Sequence, residues 1–276
     1  MTRLTEVRCR GGRGLVLAAL GAVTCAALLC LSLRPASAND WLRYWQFRHS
    51  SALPGNLFGV SPEGEVGFAG AFQQNVPVAY TPTSGNWVIG GNSGSNTGSI
   101  EVGFGGEDVN GTAFLGAGWG KPGRAMYGSW MMTGTDIAES WNLQVQLAPG
   151  GGNRWAAAIG VQDLLNERDA YPGDPHSGRS IYGTLTRPLS DPIKGYLTLG
   201  WGNGRFNDSP FAGLSVPLGG TLNLVAEYDG MQTNAGLAIS GLDVGEHDPD
   251  QRWIAMVYLG YSGLERPVVG LTITRH

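Results

Sequence analysis

The stretch Ser140-Trp141-Asn142-Leu143-Gln144-Val145-Gln146-Leu147-Ala148 decides how the rest of the chain is read. Trp141, Leu143, Val145 and Leu147 alternate with Asn142, Gln144 and Gln146. Successive side chains of an extended strand point to opposite faces, so one face is apolar and the other is built of amides.

The same period recurs on both sides of this stretch. Residues 154–162 carry Trp155, Ala157, Ile159 and Val161 on one face, and 194–202 carry Leu197, Leu199 and Trp201. In 221–229 the row Leu222, Leu224, Ala226 and Tyr228 opposes Asn223, Val225 and Glu227. Further strands are expected near 87–91, 99–105, 112–119, 125–133, 180–187, 209–216, 232–240, 252–261 and 267–274, thirteen in all. Turn-forming clusters separate them: Gly120-Lys121-Pro122-Gly123, Pro149-Gly150-Gly151-Gly152-Asn153, Pro217-Leu218-Gly219-Gly220 and Asp229-Gly230. Links this short favour antiparallel neighbours, because parallel strands need long crossovers. The fold class expected is all-β, an antiparallel meander closing into a barrel of about twelve strands.

The face opposite each apolar row is rich in glycine, alanine, threonine, asparagine and glutamine and poor in charge; Gly116, Gly118 and Gly120 share one such face. A water-facing surface normally carries more charge. Small, weakly polar residues suit the inside of a narrow barrel whose apolar outside meets lipid. The chain has 45 glycines among 276 residues, well above the roughly 7% of ordinary usage, and this inner face accounts for many of them. A soluble sandwich or barrel whose apolar rows form an ordinary core is the alternative. Trp87, Trp119, Trp141, Trp155, Trp201 and Trp253 fall near expected strand ends, where aromatic girdles sit at the two membrane interfaces, whereas Trp130 falls mid-strand. The two longest gaps, 163–179 and 241–251, fall on opposite ends under this strand count, and an odd count is itself unusual for a bacterial barrel.

Residues 1–38 have the make-up of a secretory signal. Five arginines flank an uncharged run over 15–33, and Ala36-Ser37-Ala38 offers a cleavage site; an uncleaved anchor is the alternative. Cys9, Cys25 and Cys30 all lie in this stretch. The remainder has 13 basic and 21 acidic residues, a formal charge of −8. That balance argues against nucleic acid as a partner, and the absence of cysteine excludes disulfides and thiolate chemistry there. Residues 39–75 form an aromatic segment of a different character, with Trp41, Tyr44, Trp45 and Arg48 at helical spacing, suited to a flap, a plug or an interfacial turn. Residues 76–276 are assigned to the barrel.

Catalytic motifs are scarce. Gly120-Lys121 is followed by Pro122 and makes no phosphate loop, and Gly200-Trp201-Gly202-Asn203-Gly204-Arg205 lacks the last glycine of a dinucleotide fingerprint. There is no nucleophile elbow and no zinc-protease motif, and His49, His176, His247 and His276 are dispersed. Asp243, Glu246, His247, Asp248 and Asp250 lack calcium-loop spacing and read as a solvated loop, as do Asp163, Glu167, Asp169 and Asp174. No metal, cofactor or enzymatic activity is expected. Glu227 stands out as a carboxylate on the weakly polar face of a strand. It needs a partner, for which Arg187, Arg154 and Arg205 are the candidates, and the group is assigned either a structural pairing across the lumen or a ligand-contacting or gating role.

Tyr196-Leu197-Thr198-Leu199-Gly200-Trp201-Gly202, Pro210-Phe211-Ala212-Gly213-Leu214 and Leu224-Val225-Ala226-Glu227-Tyr228-Asp229-Gly230, followed by Asn234-Ala235-Gly236-Leu237, resemble the YjbH-like outer-membrane proteins linked to exopolysaccharide export. Gly160-Val161-Gln162-Asp163-Leu164 and Ile181-Tyr182-Gly183 resemble the preceding hairpins of the same family, so the resemblance covers roughly 155–240. It implies a β-barrel in the outer membrane with a structural or passage role in surface polysaccharide traffic, with lipid, and polysaccharide or export machinery, as partners. It transfers no catalytic residue. The alternative expectation is a periplasmic or secreted carbohydrate-binding β-sandwich.

Overall fold

A computed structural model describes residues 52–67, 70–95, 109–133, 138–150, 152–166, 179–191, 193–243 and 253–275. The signal-like stretch 1–38, the aromatic run 41–48 and all four histidines lie outside these residues. No helix among the described residues is long and apolar enough to cross a membrane.

Two short strands come first, β1 (Gly59–Val60) and β2 (Val66–Gly67), paired with each other. Twelve longer ones follow: β3 (Trp87–Ser95), β4 (Val109–Lys121), β5 (Arg124–Thr133), β6 (Ala138–Ala148), β7 (Ala156–Gln162), β8 (Ser180–Leu189), β9 (Gly195–Gly202), β10 (Ser209–Gly219), β11 (Leu222–Tyr228), β12 (Thr233–Asp243), β13 (Trp253–Ser262) and β14 (Arg266–Arg275). Each pairs antiparallel with its neighbour in sequence, and β14 closes on β3 with Trp87 opposite Arg275 and Gly94 opposite Val268. This is a closed twelve-stranded meander, which excludes a two-sheet sandwich. Closure removes every open edge, so each strand's backbone groups find partners within the sheet.

The candidate strand at 99–105 lies outside the described residues, and the barrel closes without it because β3 pairs directly with β4. The barrel's strand count is even, and the links 163–179 and 244–252 lie at opposite ends, as the sequence indicates. We call the end where β3 begins and β14 finishes the base, and the opposite end the rim. The two longest links, 96–108 and 163–179, leave from the rim, as do the short 134–137, 203–208, 229–232 and 263–265; the base has 122–123, 149–155, 190–194, 220–221 and 244–252.

The apolar rows point outward. On β6, Trp141 is 48% and Leu147 59% exposed, while Asn142, Gln144 and Gln146 are buried in the interior. Leu199 and Trp201 on β9, Ile159 on β7, Ile181 and Leu185 on β8, and Leu271 on β14 are likewise exposed to the outside.

The interior is filled by the chain itself. The described residues of 52–86 run inside the barrel in three passes, with 52–60 heading to the base, 70–75 returning toward the rim and 76–86 descending to β3. The passes are stitched by Leu57 N to Gln73 O (2.9 Å), Gln73 N to Gly55 O (2.7 Å), Ala71 N to Val60 O (2.9 Å) and Val78 N to Pro54 O (2.9 Å). Phe58 packs on Phe114 and Tyr127, and Phe72 stacks on Tyr258, with ring centroids 6.0 to 6.4 Å apart. The inward glycines find their reason here. A Cβ on Gly118 would lie 2.3 Å from the Pro82 carbonyl oxygen, and one on Gly213 would lie 2.5 Å from the Gln73 amide. The plug therefore extends past residue 75 to Asn86, and the wall begins at Trp87.

Candidate functional site

The one buried charged side chain on a barrel strand, among the described residues, is Glu227. Alternation along β11 forces it inward: Ala226 and Tyr228 face out, so Glu227 faces the lumen together with Val225 and Asn223. Its carboxylate meets the second turn of the plug. Oε2 accepts from the backbone N–H of Gln74 (3.0 Å) and of Val76 (3.2 Å), and Oε1 accepts from that of Asn75 (2.8 Å). The side-chain amide of Asn234, opposite on β12, donates to Oε1 at 2.9 Å. Three consecutive backbone amides and one side-chain donor thus converge on one carboxyl group.

Asp229 lies one residue beyond the end of β11. Its Oδ1 accepts from the N–H groups of Met231 (3.1 Å) and Gln232 (3.0 Å), the local bonding that makes Asp a turn residue, and Gly230 supplies the positive φ of 97°. Oδ2 accepts from the side chains of Asn234 (2.9 Å) and Asn75 (3.3 Å). Asn234 therefore bridges the two carboxylates.

Arg205 completes the cluster from the rim link between β9 and β10. A single 3-10 turn, Gly204–Phe206, aims it inward, starting at Gly204 with φ +55° and ending at Asn207 in the left-handed region. A Cβ on Gly204 would meet Ser180 Oγ at 2.4 Å, so the turn requires glycine. The Arg205 guanidinium donates to Asn75 O (2.7 Å) and Gln162 Oε1 (3.0 Å) and lies 4.8 Å over the Phe206 ring. Burial pulls its pKa down, and the carboxylates of Asp229 and then Glu227 oppose that shift. Asn75 is thus held at both ends of its backbone, its N–H by Glu227 and its carbonyl by Arg205. Phe206, Tyr182, Phe211, Leu53 and Val76 form an apolar seal around this point.

Of the three arginines proposed as partners for Glu227, the structure brings only Arg205 into its cluster. Arg187 faces outward near the base, 5.3 Å over the Trp155 ring, and Arg154 is exposed in the base link before β7. Asp229 and Asn234 were not singled out by the sequence, although both lie within the motif that carried the family resemblance. No group of metal-ligating side chains occurs among the described residues.

Elsewhere the wall grips the plug through neutral groups. Gln144 Nε2 donates to Val78 O (3.0 Å) and Thr81 Oγ1 (2.8 Å), Thr184 Oγ1 donates to Pro77 O (2.9 Å), and Ser129 Oγ donates to Ala52 O (2.6 Å). Thr186 Oγ1 and Ser215 Oγ accept from the N–H groups of Ala79 (2.8 Å) and Phe72 (3.2 Å). On the amide face of 140–148, Gln144 therefore clamps the plug, whereas Asn142 and Gln146 bond within the wall and its links.

On the outside, Trp87, Trp119, Trp155 and Trp253 lie near the base, and Trp141 and Trp201 near the rim; Trp155 is half-buried and the other five are exposed. Trp130, expected mid-strand, is directly opposite Trp141 in the β5–β6 register and joins the rim group, with Nε1 donating to Glu139 Oε2 at 3.2 Å. Tyr261 is exposed near the same end. At the base, Arg275 lies 5.8 Å over Trp253, as Arg187 does over Trp155.

Comparisons with family models and with curated proteins give no match. Among solved structures, the chain is similar to an active-site mutant of outer membrane phospholipase A from Escherichia coli, at 13% identity and a TM-score of 0.37, over 70% of this chain and 90% of that one. So low a TM-score carries no structural argument, and the barrel stands on its own strand pairing. One expectation is corrected: a barrel that the chain is similar to is an enzyme by its description, so the expected absence of enzymatic activity does not stand. No catalytic residue carries over from it.

Proposed function

We propose that the protein is an outer-membrane β-barrel, closed by its own N-terminal segment, that serves the export or assembly of envelope exopolysaccharide. The observation carrying the membrane reading is the outer surface: a closed sheet whose outward rows are leucine, isoleucine and valine, bounded by tryptophans near both ends. In water such a surface would be far larger than the apolar patches that soluble monomers expose. The exopolysaccharide role is supported by the family resemblance over 155–240. The plug favours a structural part in that traffic over free passage, since residues 52–86 occupy the lumen from rim to base.

Fractionation and gel behaviour test the membrane part. The protein is expected in outer-membrane fractions, with heat-modifiable migration in detergent gels; recovery as a soluble periplasmic or secreted monomer contradicts it. Deleting the gene and measuring secreted polysaccharide tests the second part. A fall in surface polymer supports it, and unchanged polymer with an intact envelope contradicts it.

A further inference from the structure

Resting on the membrane reading above, we infer that residues 52–86 are a releasable gate latched by Glu227, and that the lumen behind it passes uncharged, hydroxyl-rich solutes of the sugar class. Three observations carry this.

The first is where the plug is held. At the base it runs on covalently into β3 and is bonded to the wall there, with Ser84 N to Gly120 O at 3.1 Å and Gly118 N to Asn86 O at 3.1 Å. At the rim the Gln74-Asn75-Val76 turn hangs on Glu227, Asp229 and Arg205, and Tyr258 Oη donates to Gln74 Oε1 at 2.7 Å. The last pass is thus held at the base by continuity with β3, and the turn before it is held at the rim by charged side chains that a displacement would have to break.

The second is the quality of the remaining interface. Both amide atoms of Gln73, Gln74 Nε2, Asn75 Oδ1 and Asn56 Oδ1 on the plug, and Asn223 Oδ1 and Thr272 Oγ1 on the wall, are buried without a hydrogen-bond partner. Buried polar groups of folded cores are nearly always satisfied. An interface that leaves these groups unmet gains from hydration when the plug moves, which offsets part of the cost of exposing Phe58 and Phe72.

The third is what withdrawal would uncover. The wall behind the plug presents Asn142, Gln144, Thr184, Thr198, Asn223 and Thr272, with tyrosines between them, and Glu227 as its only buried charge among the described strands. Amides and hydroxyls pair with sugar hydroxyls as donors and acceptors alike, and a wall with so little charge selects weakly between ions.

The experiment uses the full exported chain in planar bilayers and in liposomes. Wild type is expected to insert and remain closed. Glu227→Ala is expected to raise open probability at least about tenfold, the population shift from losing one latch, and to let liposomes swell in glucose. Its reversal potential in a KCl gradient is expected near zero. Glu227→Gln, which keeps the shape, gives a smaller rise in the same direction. Adding Gln73→Cys and Gly213→Cys to Glu227→Ala should silence the pore when oxidised and restore it when reduced, since no other cysteine follows residue 38. Inserted, heat-modifiable Glu227→Ala that conducts no more than wild type overturns the gate. Conduction that the oxidised pair does not silence also overturns it, and strong ion selectivity overturns the solute class. A wild-type chain that does not insert at all overturns the membrane reading on which the gate depends.

Discussion

The two faces of β6 belong to one strand and have different surroundings. Outward, Trp141, Leu143, Val145 and Leu147 are exposed or half-buried, and on the membrane reading proposed above they need no specific partners, because an apolar surface in lipid is satisfied by any hydrocarbon. Inward, Asn142, Gln144 and Gln146 are buried, and Gln144 makes three hydrogen bonds: two to the plug, and one as acceptor from Tyr182 Oη at 2.9 Å. The outer face is generic and the inner face specific. Tolerance to substitution should differ accordingly: the outside rejects charge but accepts any apolar side chain, whereas the inside rejects changes of shape and bonding that keep polarity.

The largest expected effect is on the inside. Glu227→Ala strips the acceptor from four donors and leaves Arg205 facing one carboxylate instead of two, so the closed barrel should lose about 3–5 kcal/mol in denaturant unfolding from vesicles. Next is the outside: Leu271→Arg, in the middle of β14, should cost about 2–4 kcal/mol in a bilayer, whereas Leu271→Ile should be close to neutral. If the outer face met water, the arginine would be harmless, and the comparison would break. Third, Gly118→Ala puts a methyl group against the Pro82 carbonyl, and overpacking of this kind should cost about 1–3 kcal/mol. Smallest is Trp253→Leu, which keeps an apolar side chain but removes the ring beneath Arg275, worth about 0.5–1 kcal/mol.

The outer face was legible because period two is local. The alternation in 140–148 names both faces without reference to any other strand, and 154–162, 194–202 and 221–229 repeat it. Locality also misled. Residues 99–105 alternate too, but membership of the barrel depends on whether β3 has a free partner, and β4 already occupies it. Trp130 was placed mid-strand because its rank along β5 does not reveal its height in a tilted sheet; the register opposite Trp141 does.

A plug was one of three readings of residues 39–75, and its course and its extent to Asn86 were what sequence could not deliver. Residues 52–86 have no period, only two short strands of their own, and interactions that reach far along the chain, as in Gln74 with Glu227 and Tyr258. The small inner residues were read as the lining of a narrow lumen. Gly118 and Gly213 are small because Pro82 and Gln73 lie against them. Glu227 was recognised as a carboxylate in need of a partner, but backbone amides carry no sequence signature, so the search went to arginines. Arg205 was found that way, and its one-turn helix is what aims it inward.

The claim on which the account stands is that the row containing Leu199 faces lipid. With no cysteine after residue 38, Leu199→Cys gives a single reporter, and its neighbour Thr198→Cys, pointing inward and buried, gives the control. In liposomes, the cysteine at 199 is expected to react with a thiol reagent dissolved in the bilayer and to resist a membrane-impermeant one, while the cysteine at 198 resists both with the plug in place. Rapid reaction of the cysteine at 199 with the impermeant, water-soluble reagent would contradict the account.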